Sequence, residues 1–523
     1  MIKNSIVLFS IILLFILQSC ASPEIKNSER PNILFIMSDD HTSQAWGIYG
    51  GVLKDYVHTP NISRLADEGA VLNNSFCTNS ICVPSRATIL TGQYSHNNGV
   101  YTLSDALTPE RNNIAKELNN NGYQTAIIGK WHLKKEPSGF DYYNILHDQG
   151  RYWDPILRTK DNFHKKSNEW DIHKGFSTDV IADLSMNWLD TIDKSKPFML
   201  MTHFKATHEP FDFPERFNDL YKEQEIPEPE SLFDFSPETT GRSIEGQKLE
   251  QLAFRYGKAS DDPDNWWCKY PGLPFYTNEM DSIAARKEVY QKFVKDFMRS
   301  GAAIDDNIGK LLDYLEEKGI ADNTIVIYTA DQGYFLGEHG FFDKRLIYEE
   351  SLRMPFVIRY PKEIKGGKRI DEIILNIDFP SLMADYAGVQ LPESFQGESF
   401  RENLKGNAPI TWRKNAYYRY WTNHTNRPAH FGIRNERYKL ALFYGHSLDM
   451  TGSSKETTKP AWEFYDLKKD PKENSNVYNN SEYTEIIKEM KVALKELKLE
   501  IGDSDSQYTE MQTIFSTHWD ASK

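Results

Sequence analysis

Short, continuous apolar runs recur along the chain, and each run is followed by a polar cluster. The clearest runs lie at residues 33–37, 125–128, 198–201 and 324–328. Uninterrupted runs of this length are typical of strands that are buried on both faces of a sheet. Segments with helical periodicity lie between and around them, at 61–68, 112–119, 179–189 and 290–318. This alternation predicts an α/β fold with a large, mixed and mostly parallel sheet flanked by helices.

The polar residues after these strands are rich in chemically useful side chains. They include Asp39 and Asp40, Lys130 and His132, His208, and Asp331 with Gln332. In wound α/β sheets, ligands bind at the carboxyl ends of the strands. We therefore expect these side chains to converge on one site, although they are far apart along the chain.

Two regions differ from this alternating core in residue composition and hydrophobic periodicity. Residues 210–285 are rich in Pro, Glu, Asp and Trp and only weakly periodic, so we interpret them as a long surface insertion that could form a wall facing the substrate. The main α/β domain is expected to span 31–405. Residues 406–523 are expected to form a smaller α+β subdomain, with three strands and a long charged helix at 482–500.

The N-terminal segment predicts export. Lys3 precedes an apolar stretch at 6–17 that is shorter than the roughly 20 residues of a membrane-spanning helix, so 1–19 is interpreted as a signal peptide. Residues 17–20 resemble a bacterial lipobox, which implies a lipid on Cys20 and a tether at 20–30; cleavage near Ala21 without a lipid is the alternative. We expect a bacterial envelope protein, in the periplasm or on the outer surface, whose membrane contact is the lipid anchor alone.

Composition narrows the class of protein. The 523 residues are 39% apolar and carry a formal net charge of −14, which excludes a disordered chain, a collagen or a coiled coil. The acidic balance argues against nucleic-acid binding, since that requires a basic surface. Four cysteines in a chain of this length exclude a disulfide scaffold.

The segment from Cys82 to Gly92 is the most informative stretch of the sequence. Pro84 fits the first turn of a helix, so Cys82 lies at the helix N-terminus, where backbone N–H groups favour an anion. Arg86, one turn further on, adds a guanidinium for an oxyanion. Taken alone, such a cysteine is more often an ordinary buried residue.

The whole segment, however, resembles the sulfatase signature C-x-P-S-R-x-x-x-L-T-G and matches it at every fixed position. Further motifs between about 31 and 480 resemble those of type I sulfatases, within the alkaline-phosphatase-like superfamily. The resemblance implies hydrolysis of sulfate monoesters of carbohydrates. It also implies that a separate maturation enzyme oxidises Cys82 to formylglycine (3-oxoalanine).

The same resemblance implies a metal site. Asp39, Asp40, Asp331 and Gln332 match the family's ligands, and residue 82 is implied to join them as a ligand. All-oxygen ligation selects a hard cation, with Ca²⁺ ahead of Mg²⁺. The amide position is often Asn in the family. Gln332 offers the same ligand atom, an amide oxygen, on a side chain that is one methylene longer.

Further roles follow from matching motifs. Lys130 and Lys344 are implied to bind sulfate, with Arg86 neutralising charge. His132 is implied to contact the formylglycine hydrate and act as a base, and His208 to face the departing oxygen. His339 is a further candidate to touch the substrate or to share the role of acid.

Alternatives remain at the level of the sequence. Phosphomonoester and phosphonate hydrolases share this architecture, but no second metal-ligand cluster occurs near 370–390, where Asp378 has no neighbouring His. A catalytically inactive carbohydrate-binding protein is disfavoured by the intact set of site residues. The pairing of Cys77 with Cys268 is left open.

The substrate is left open among ulvan-type, algal galactan and glycosaminoglycan sulfates. Aromatic and basic residues that could line sugar subsites, although most such residues serve packing or lie on the surface, are Arg151, Tyr152, Trp153, Trp266, Trp267, His424 and Arg427.

Overall fold

The computed structural model describes residues 30–233, 248–262 and 269–519. The predicted signal peptide, Cys20 and the tether up to residue 29 lie outside the described residues. Cys268, Trp266 and Trp267 lie outside them as well, so the pairing of Cys77 stays open. No helix in the described ranges combines the length and apolar character needed to cross a bilayer.

Strands and helices alternate through the first two thirds of the chain, joined by loops and short 3-10 turns. In chain order the elements up to residue 320 are β1 (Asn32–Asp39), α1 (Pro60–Glu68), β2 (Ala70–Leu72), β3 (Ser75–Phe76), α2 (Cys82–Thr91), α3 (Ser95–Asn98), α4 (Ile114–Asn120), β4 (Gln124–Gly129), β5 (Tyr142–Leu146), β6 (Ile156–Arg158), β7 (Asp171–Ile172), α5 (Ser177–Thr191), β8 (Phe198–Thr207), α6 (Leu249–Asp261) and α7 (Ser282–Glu317).

The remaining elements complete the core and build the C-terminal part. They are β9 (Thr324–Ala330), β10 (Phe335–Leu336), β11 (Phe342–Asp343), α8 (Glu349–Leu352), β12 (Phe356–Arg359), β13 (Lys368–Ile370), β14 (Ile374–Leu375), α9 (Phe379–Ala387), α10 (Arg401–Lys405), β15 (Ala416–Tyr420), β16 (His430–Arg434), β17 (Tyr438–Phe443), β18 (Ala461–Asp466), α11 (Thr484–Glu500) and α12 (Thr509–His518).

A ten-stranded sheet forms the centre of the protein, in the order β13-β2-β12-β9-β1-β8-β4-β5-β6-β7. The five strands from β9 to β5 are parallel, whereas β12 runs antiparallel to β9 and to β2, and β6 runs antiparallel to β5 and β7. The predicted large, mixed and mostly parallel sheet is therefore confirmed.

Both faces of this sheet are buried. Along β1, Ile33 and Phe35 pack into one hydrophobic cluster, while Leu34 and Ile36 pack into a second cluster on the opposite face. Successive side chains of a strand point to opposite faces, so a continuous apolar run is what a doubly covered strand requires.

The region predicted to be a weakly periodic insertion contains more structure than its sequence indicates. α6 lies within it and buries Leu249, Leu252 and Tyr256 against α7. α7 begins at Ser282, earlier than the periodicity predicts, and Asp281 caps it by accepting from two backbone N–H groups. The frequent Pro and charged residues between these helices hide the pattern, because the apolar contacts are made between segments rather than within one.

The C-terminal part contains a four-stranded antiparallel sheet, β15 to β18 in sequential order, with α11 packed against it. Its apolar residues belong to the same cluster as one face of the main sheet. Buried ion pairs add to this contact: Lys439 lies 2.7 Å from Glu473 and 3.0 Å from Glu349, which begins α8. The predicted α+β character of this region is confirmed.

Candidate active site

Two acidic pairs meet at the centre of the main sheet. β1 ends at Asp39, with Asp40 directly after it, and Asp331 with Gln332 follows the end of β9. The two strands are parallel neighbours, so their carboxyl ends lie side by side. The backbone N–H of Asp40 donates to Oδ1 of Asp331 at 3.2 Å. Carboxylate oxygens of Asp39, Asp40 and Asp331 all lie within 4.8 Å of one another.

Cys82 lies beside this acidic cluster as the first residue of α2. Gly92 ends this wholly buried helix in a left-handed conformation with φ 62°. The Sγ of Cys82 donates to Oδ1 of Asp39 at 3.3 Å. Burial raises the pKa of the thiol to about 12. A buried, protonated thiol is a poor nucleophile.

The second turn of α2 anchors the helix to β9. The Nε of Arg86 donates to Oδ2 of Asp331 at 2.9 Å, and its Nη1 donates to the carbonyl of Lys130 at 2.8 Å. Ser85 donates through its hydroxyl to the carbonyl of Asp331 and accepts from Nδ2 of Asn376 at 3.1 Å. The signature segment therefore holds three separate strand ends and loops together.

Lys130 enters the cluster directly after β4. Gly129 permits this path, because its φ is 103° and a Cβ there would lie 2.0 Å from the carbonyl oxygen of His203. The ammonium of Lys130 contacts Oδ2 of Asp39 and also donates to Oε1 of Gln149 at 2.6 Å.

Lys344 supplies a second buried ammonium group from the loop after β11. Its Nζ donates to both carboxylate oxygens of Asp40, at 2.5 and 2.6 Å. Burial raises the pKa of Asp40 to about 6, and Lys344 opposes that effect. Although burial alone would lower it, the contact with Asp40 raises the pKa of Lys344 above its usual range. Burial lowers the pKa of Lys130 well below its usual value.

Gln332 completes the group of oxygen-bearing side chains. Its Nε2 donates to Oδ1 of Asp40 at 2.5 Å and lies 3.7 Å from Sγ of Cys82. Its Oε1 is buried without a hydrogen-bond partner. Because the two ends of an amide are assigned from the surrounding hydrogen bonds, a rotated amide that turns its oxygen toward Asp40 fits the same space.

Two histidines lie at the edge of the cluster. The Nε2 of His208 is 3.9 Å from Oδ2 of Asp40, and its Nδ1 contacts the carbonyl of Glu209 at 2.9 Å, so Nδ1 carries the proton of the neutral ring. The Nε2 of His132 lies 3.8 Å from Oδ1 of Asp148. Burial, reinforced by Lys130, lowers the pKa of both rings well below the usual value.

His339 lies in a different environment. It is buried, with its ring among Phe335, Phe341 and Tyr348 at centroid distances of 5.4 to 6.3 Å, and its backbone N–H donates to Ser231. The structure therefore places this ring in an aromatic pocket and does not bring it among the carboxylates.

Several residues near the site carry no sequence signal of their own. Lys205 is buried in β8, with its Nζ 4.9 Å from the centroid of the Tyr152 ring, and burial lowers its pKa to about 8. Gln149 contacts Lys130 from an unpatterned loop. For Lys205 the available signal is its position, since a lysine within a mostly apolar strand is unusual and could have marked it as a site residue.

The residues considered for sugar binding lie in different environments. Tyr152 is buried and donates to the carbonyl of His208 at 2.6 Å, whereas Trp153 is 43% exposed and lines a cavity of about 490 Å³. Arg427 lies 3.7 Å from Asp343, which also pairs with Arg345. The other two described candidates are the exposed Arg151 and the partly buried His424.

Comparison with known proteins identifies this arrangement. The sulfatase family profile matches residues 31–389, and the profile for the C-terminal part of N-sulphoglucosamine sulphohydrolase matches 337–500. This chain belongs to the sulfatase family. It is thus a sulfuric ester hydrolase, and its family generally depends on a metal.

The proteins that are similar to this chain over nearly its whole length include a curated relative and a solved structure. The N-acetylglucosamine-6-O-sulfatase of Bacteroides thetaiotaomicron is 38% identical over 94% of this chain and 91% of its own length. A solved complex of a protein with its substrate D-glucosamine-2-N,6-O-disulfate has a TM-score of 0.82 and 36% identity, and the match covers 92% of this chain and all of that one.

The fold alone does not separate sulfatases from related hydrolases. The phosphonate monoester hydrolase of Agrobacterium radiobacter shares it at 20% identity and a TM-score of 0.68, covering 90% of this chain and 96% of that one. The potential metal-binding groups found among the described residues all lie in the cluster described above. Asp378 instead pairs with Arg413 and accepts from backbone N–H groups, so it serves the structure of this sulfatase.

The insertion helix α6 contacts the site through Glu209, and we predict that this contact supports turnover. Arg255 of α6 and the hydroxyl of Tyr270 both contact the Glu209 carboxylate, next to His208. Replacing Arg255 with Gln removes one of the two contacts that hold the Glu209 carboxylate and so loosens His208. A fall in kcat of about tenfold is expected, since small displacements of reacting groups are costly. Steady-state sulfate release measures it.

Lys258→Gln is the matched control, because Lys258 is exposed one turn further along α6. We expect this variant to keep its kcat, and both variants to keep a melting temperature close to that of the unaltered enzyme. Equal losses of kcat in the two variants would contradict the role given to Arg255.

Proposed function

We propose that this sulfatase removes the 6-O-sulfate of glucosamine units in sulfated carbohydrates of the glycosaminoglycan type. The observation that carries the proposal is the near full-length similarity to an N-acetylglucosamine-6-O-sulfatase, at 38% identity. The solved complex with a 2-N,6-O-disulfated glucosamine, at 36% identity, supports the same sugar. Among the substrate classes open at the level of the sequence, this one has support from both comparisons.

The cluster suits a negatively charged ester. Arg86, Lys130 and Lys344 direct three buried cationic groups at the carboxylates beside Cys82. These groups are held in place before any substrate arrives, so they can stabilise developing negative charge on the sulfate oxygens without reorganising. We assign Lys130 and Lys344 to sulfate binding and Arg86 to charge neutralisation.

We propose that Asp39, Asp40, Asp331 and Gln332 hold one Ca²⁺ beside residue 82. Three carboxylates and an amide oxygen are hard ligands, and the unpartnered Oε1 of Gln332 fits the set once its amide is rotated. The ion would supply Lewis-acid stabilisation of the sulfate oxygens. Three basic side chains already face the three carboxylates, so a divalent ion makes the charge at the site more positive, which favours an anionic ester.

We also propose that Cys82 is matured to formylglycine by a separate enzyme. The hydrated aldehyde would supply two hydroxyl groups on one carbon, one to accept the sulfuryl group and one whose deprotonation expels sulfate. The raised pKa of the unmodified thiol agrees with this reading, because a neutral, buried thiol has little reactivity.

The two histidines take the proton transfers in this scheme. His208 faces the departing sugar oxygen through Nε2, the atom near Asp40. Because the neutral ring carries its proton on Nδ1, Nε2 must first take up a proton, which it then passes to the sugar oxygen as the ester bond breaks. His132 accepts the proton that the second hydroxyl of residue 82 loses. His339, in its aromatic pocket, remains a further candidate to touch the substrate or to share the role of acid.

Export and lipidation belong to the same proposal. A signal peptide at 1–19 and a lipid on Cys20 would place the enzyme in the bacterial envelope, where extracellular polysaccharides are degraded, with the lipid as its one membrane attachment. Oxidation of Cys82 would then precede its encounter with substrate.

The substrate proposal is tested with a panel of defined sulfated sugars. We expect sulfate release from N-acetylglucosamine 6-sulfate and glucosamine-2-N,6-O-disulfate at the highest kcat/KM. Galactose 6-sulfate, sulfated rhamnose and phosphate esters are expected to be at least about a hundredfold poorer, or about 2.7 kcal/mol in the barrier. Ion chromatography of released sulfate and phosphate measures this. Preference for a galactan or ulvan fragment would overturn the choice of sugar.

Replacing Cys82 with Ala is expected to abolish turnover while the protein still folds. The side chain that accepts the sulfuryl group is lost, whereas the neighbouring ion pairs are untouched. Sulfate release gives the activity, circular dichroism gives the fold, and mass spectrometry of the peptide containing residue 82 detects the aldehyde. Protein produced without the maturation enzyme is the control and should retain a thiol and no activity. Full activity in the Ala variant would refute the scheme.

Metal binding is predicted to stabilise the protein independently of activity. After treatment with a chelator, added Ca²⁺ should raise the melting temperature, because ligand at 100 times its Kd adds about 2.7 kcal/mol to the free energy of unfolding. Mg²⁺ is expected to produce a smaller shift. In the Asp331→Asn variant the Ca²⁺-dependent shift should disappear, while Asp212→Asn, outside the cluster, should keep it. An equal shift in both variants would contradict the ligand set.

A further inference from the structure

A second cavity, of about 250 Å³, opens beside the candidate catalytic residues. His132 forms part of its wall together with Asp148 and His147. The loop that carries these two residues continues to Gln149, which contacts Lys130 at 2.6 Å. The cavity and the proposed sulfate site therefore share one wall.

Arg158, the last residue of β6, faces this cavity. Its guanidinium lies 4.3 Å from the ring centroid of Phe163 and 5.1 Å from that of Trp170. Two aromatic rings hold the planar group in one orientation, which lowers the conformational entropy that a bound ligand has to overcome.

This guanidinium lacks a carboxylate partner. Among the described residues, no acidic side chain forms an ion pair with Arg158, although Asp148 acts on it from a longer distance, and its buried Nε has no hydrogen-bond partner. An arginine that is half removed from water and forms no ion pair is unfavourable. The arrangement is therefore better suited to a ligand than to the stability of the fold.

The charges that face the cavity favour an anion. Lys134 lies on the lining beside Arg158, and its side chain is exposed. Asp148 is the acidic residue on the lining, and it already lies 3.8 Å from the His132 ring. Burial lowers the pKa of His132 and of His147, which favours the neutral rings. The cavity is then faced by two positive side chains, Arg158 and Lys134, and by one carboxylate, that of Asp148.

We propose that Arg158, assisted by Lys134, binds a second anionic group of the carbohydrate while the reactive sulfate lies against Lys130 and Lys344. The group is a sulfamate, sulfate or carboxylate, since each offers oxygens that match the paired N–H donors of a guanidinium. This inference rests on the proposed function and adds that the preferred substrate carries two negative groups. The second group is either on the same sugar or on its neighbour.

The test compares three substrates and three variants. The substrates are N-acetylglucosamine 6-sulfate, with one anion; glucosamine-2-N,6-O-disulfate; and a disaccharide joining a uronate to N-acetylglucosamine 6-sulfate. Arg158→Met keeps the packing on the Phe163 and Trp170 rings and removes the charge. Arg158→Lys keeps the charge and removes the paired N–H donors of the guanidinium. Arg437→Met is the control for the loss of an arginine from an aromatic ring outside the cavity lining: Arg437, just before β17, lies 4.9 Å from the Tyr438 ring and pairs with Asp466.

For Arg158→Met we expect kcat/KM to fall about tenfold or more on a doubly anionic substrate, through KM, as the loss of a charged hydrogen bond implies. The fall on the singly sulfated sugar should stay within about threefold on the same basis. Arg158→Lys should be intermediate, Arg437→Met should match the unaltered enzyme, and the effect should shrink as ionic strength rises. A loss confined to the disulfated monosaccharide identifies the sulfamate, and a loss confined to the disaccharide identifies the uronate.

Equal losses on all three substrates, or no loss on either doubly anionic one, would overturn the inference. Calorimetric binding of the same three sugars to the Cys82→Ala protein, with and without Arg158→Met, gives a second readout. If the unaltered enzyme releases no sulfate from any of them, the proposed function fails. The Arg158 inference is then decided by binding alone, and it fails if the doubly anionic sugars bind no more weakly to the Arg158→Met protein.

Discussion

Compensation of buried charge is the constraint on which the rest of this structure depends. Asp39, Asp40 and Asp331 are fully buried within one small volume, and buried carboxylates cost several kcal/mol each without partners. Arg86 and Lys130 provide two of the compensating charges, from a helix terminus and another strand end, and Lys344 provides the third from a loop. The sheet brings the three carboxylates together, and the positive side chains make the burial of these carboxylates tolerable. Each of the two features therefore requires the other.

The same constraint explains how an acidic protein can act on an anionic ester. The net charge of −14 describes the whole surface, whereas the field at the site is set by nearby groups in a region shielded from water. Cationic side chains converge there from β4, α2 and the loop after β11, and Arg158 continues the basic character toward the neighbouring cavity. Substrate selection is thus a local property that the overall composition conceals.

Segments outside the main sheet hold the site in shape. The C-terminal sheet contacts α8 through Lys439 and Arg434, which both pair with Glu349, a few residues beyond Lys344. The insertion helix α6 reaches Glu209 beside His208. Because the fold is shared with a phosphonate hydrolase, it is these side chains at and around the strand ends that decide the chemistry.

The sequence by itself determined the parts of the protein that depend on local pattern. Apolar runs identified β1, β4, β8 and β9, because a strand covered on both faces has no polar side, and the signature around Cys82 identified the family. The polar residues after those strands could be expected to meet, since parallel strands present their carboxyl ends at one edge. Only the tertiary structure decided the pairings between distant segments. It placed His339 in an aromatic pocket, joined Gln149 to Lys130, brought Arg255 to Glu209 and left Arg158 facing a cavity without an ion-pair partner among the described residues. A charged or polar side chain takes its role from whatever the fold places within a few ångströms of it, and neither periodicity nor composition records that neighbour.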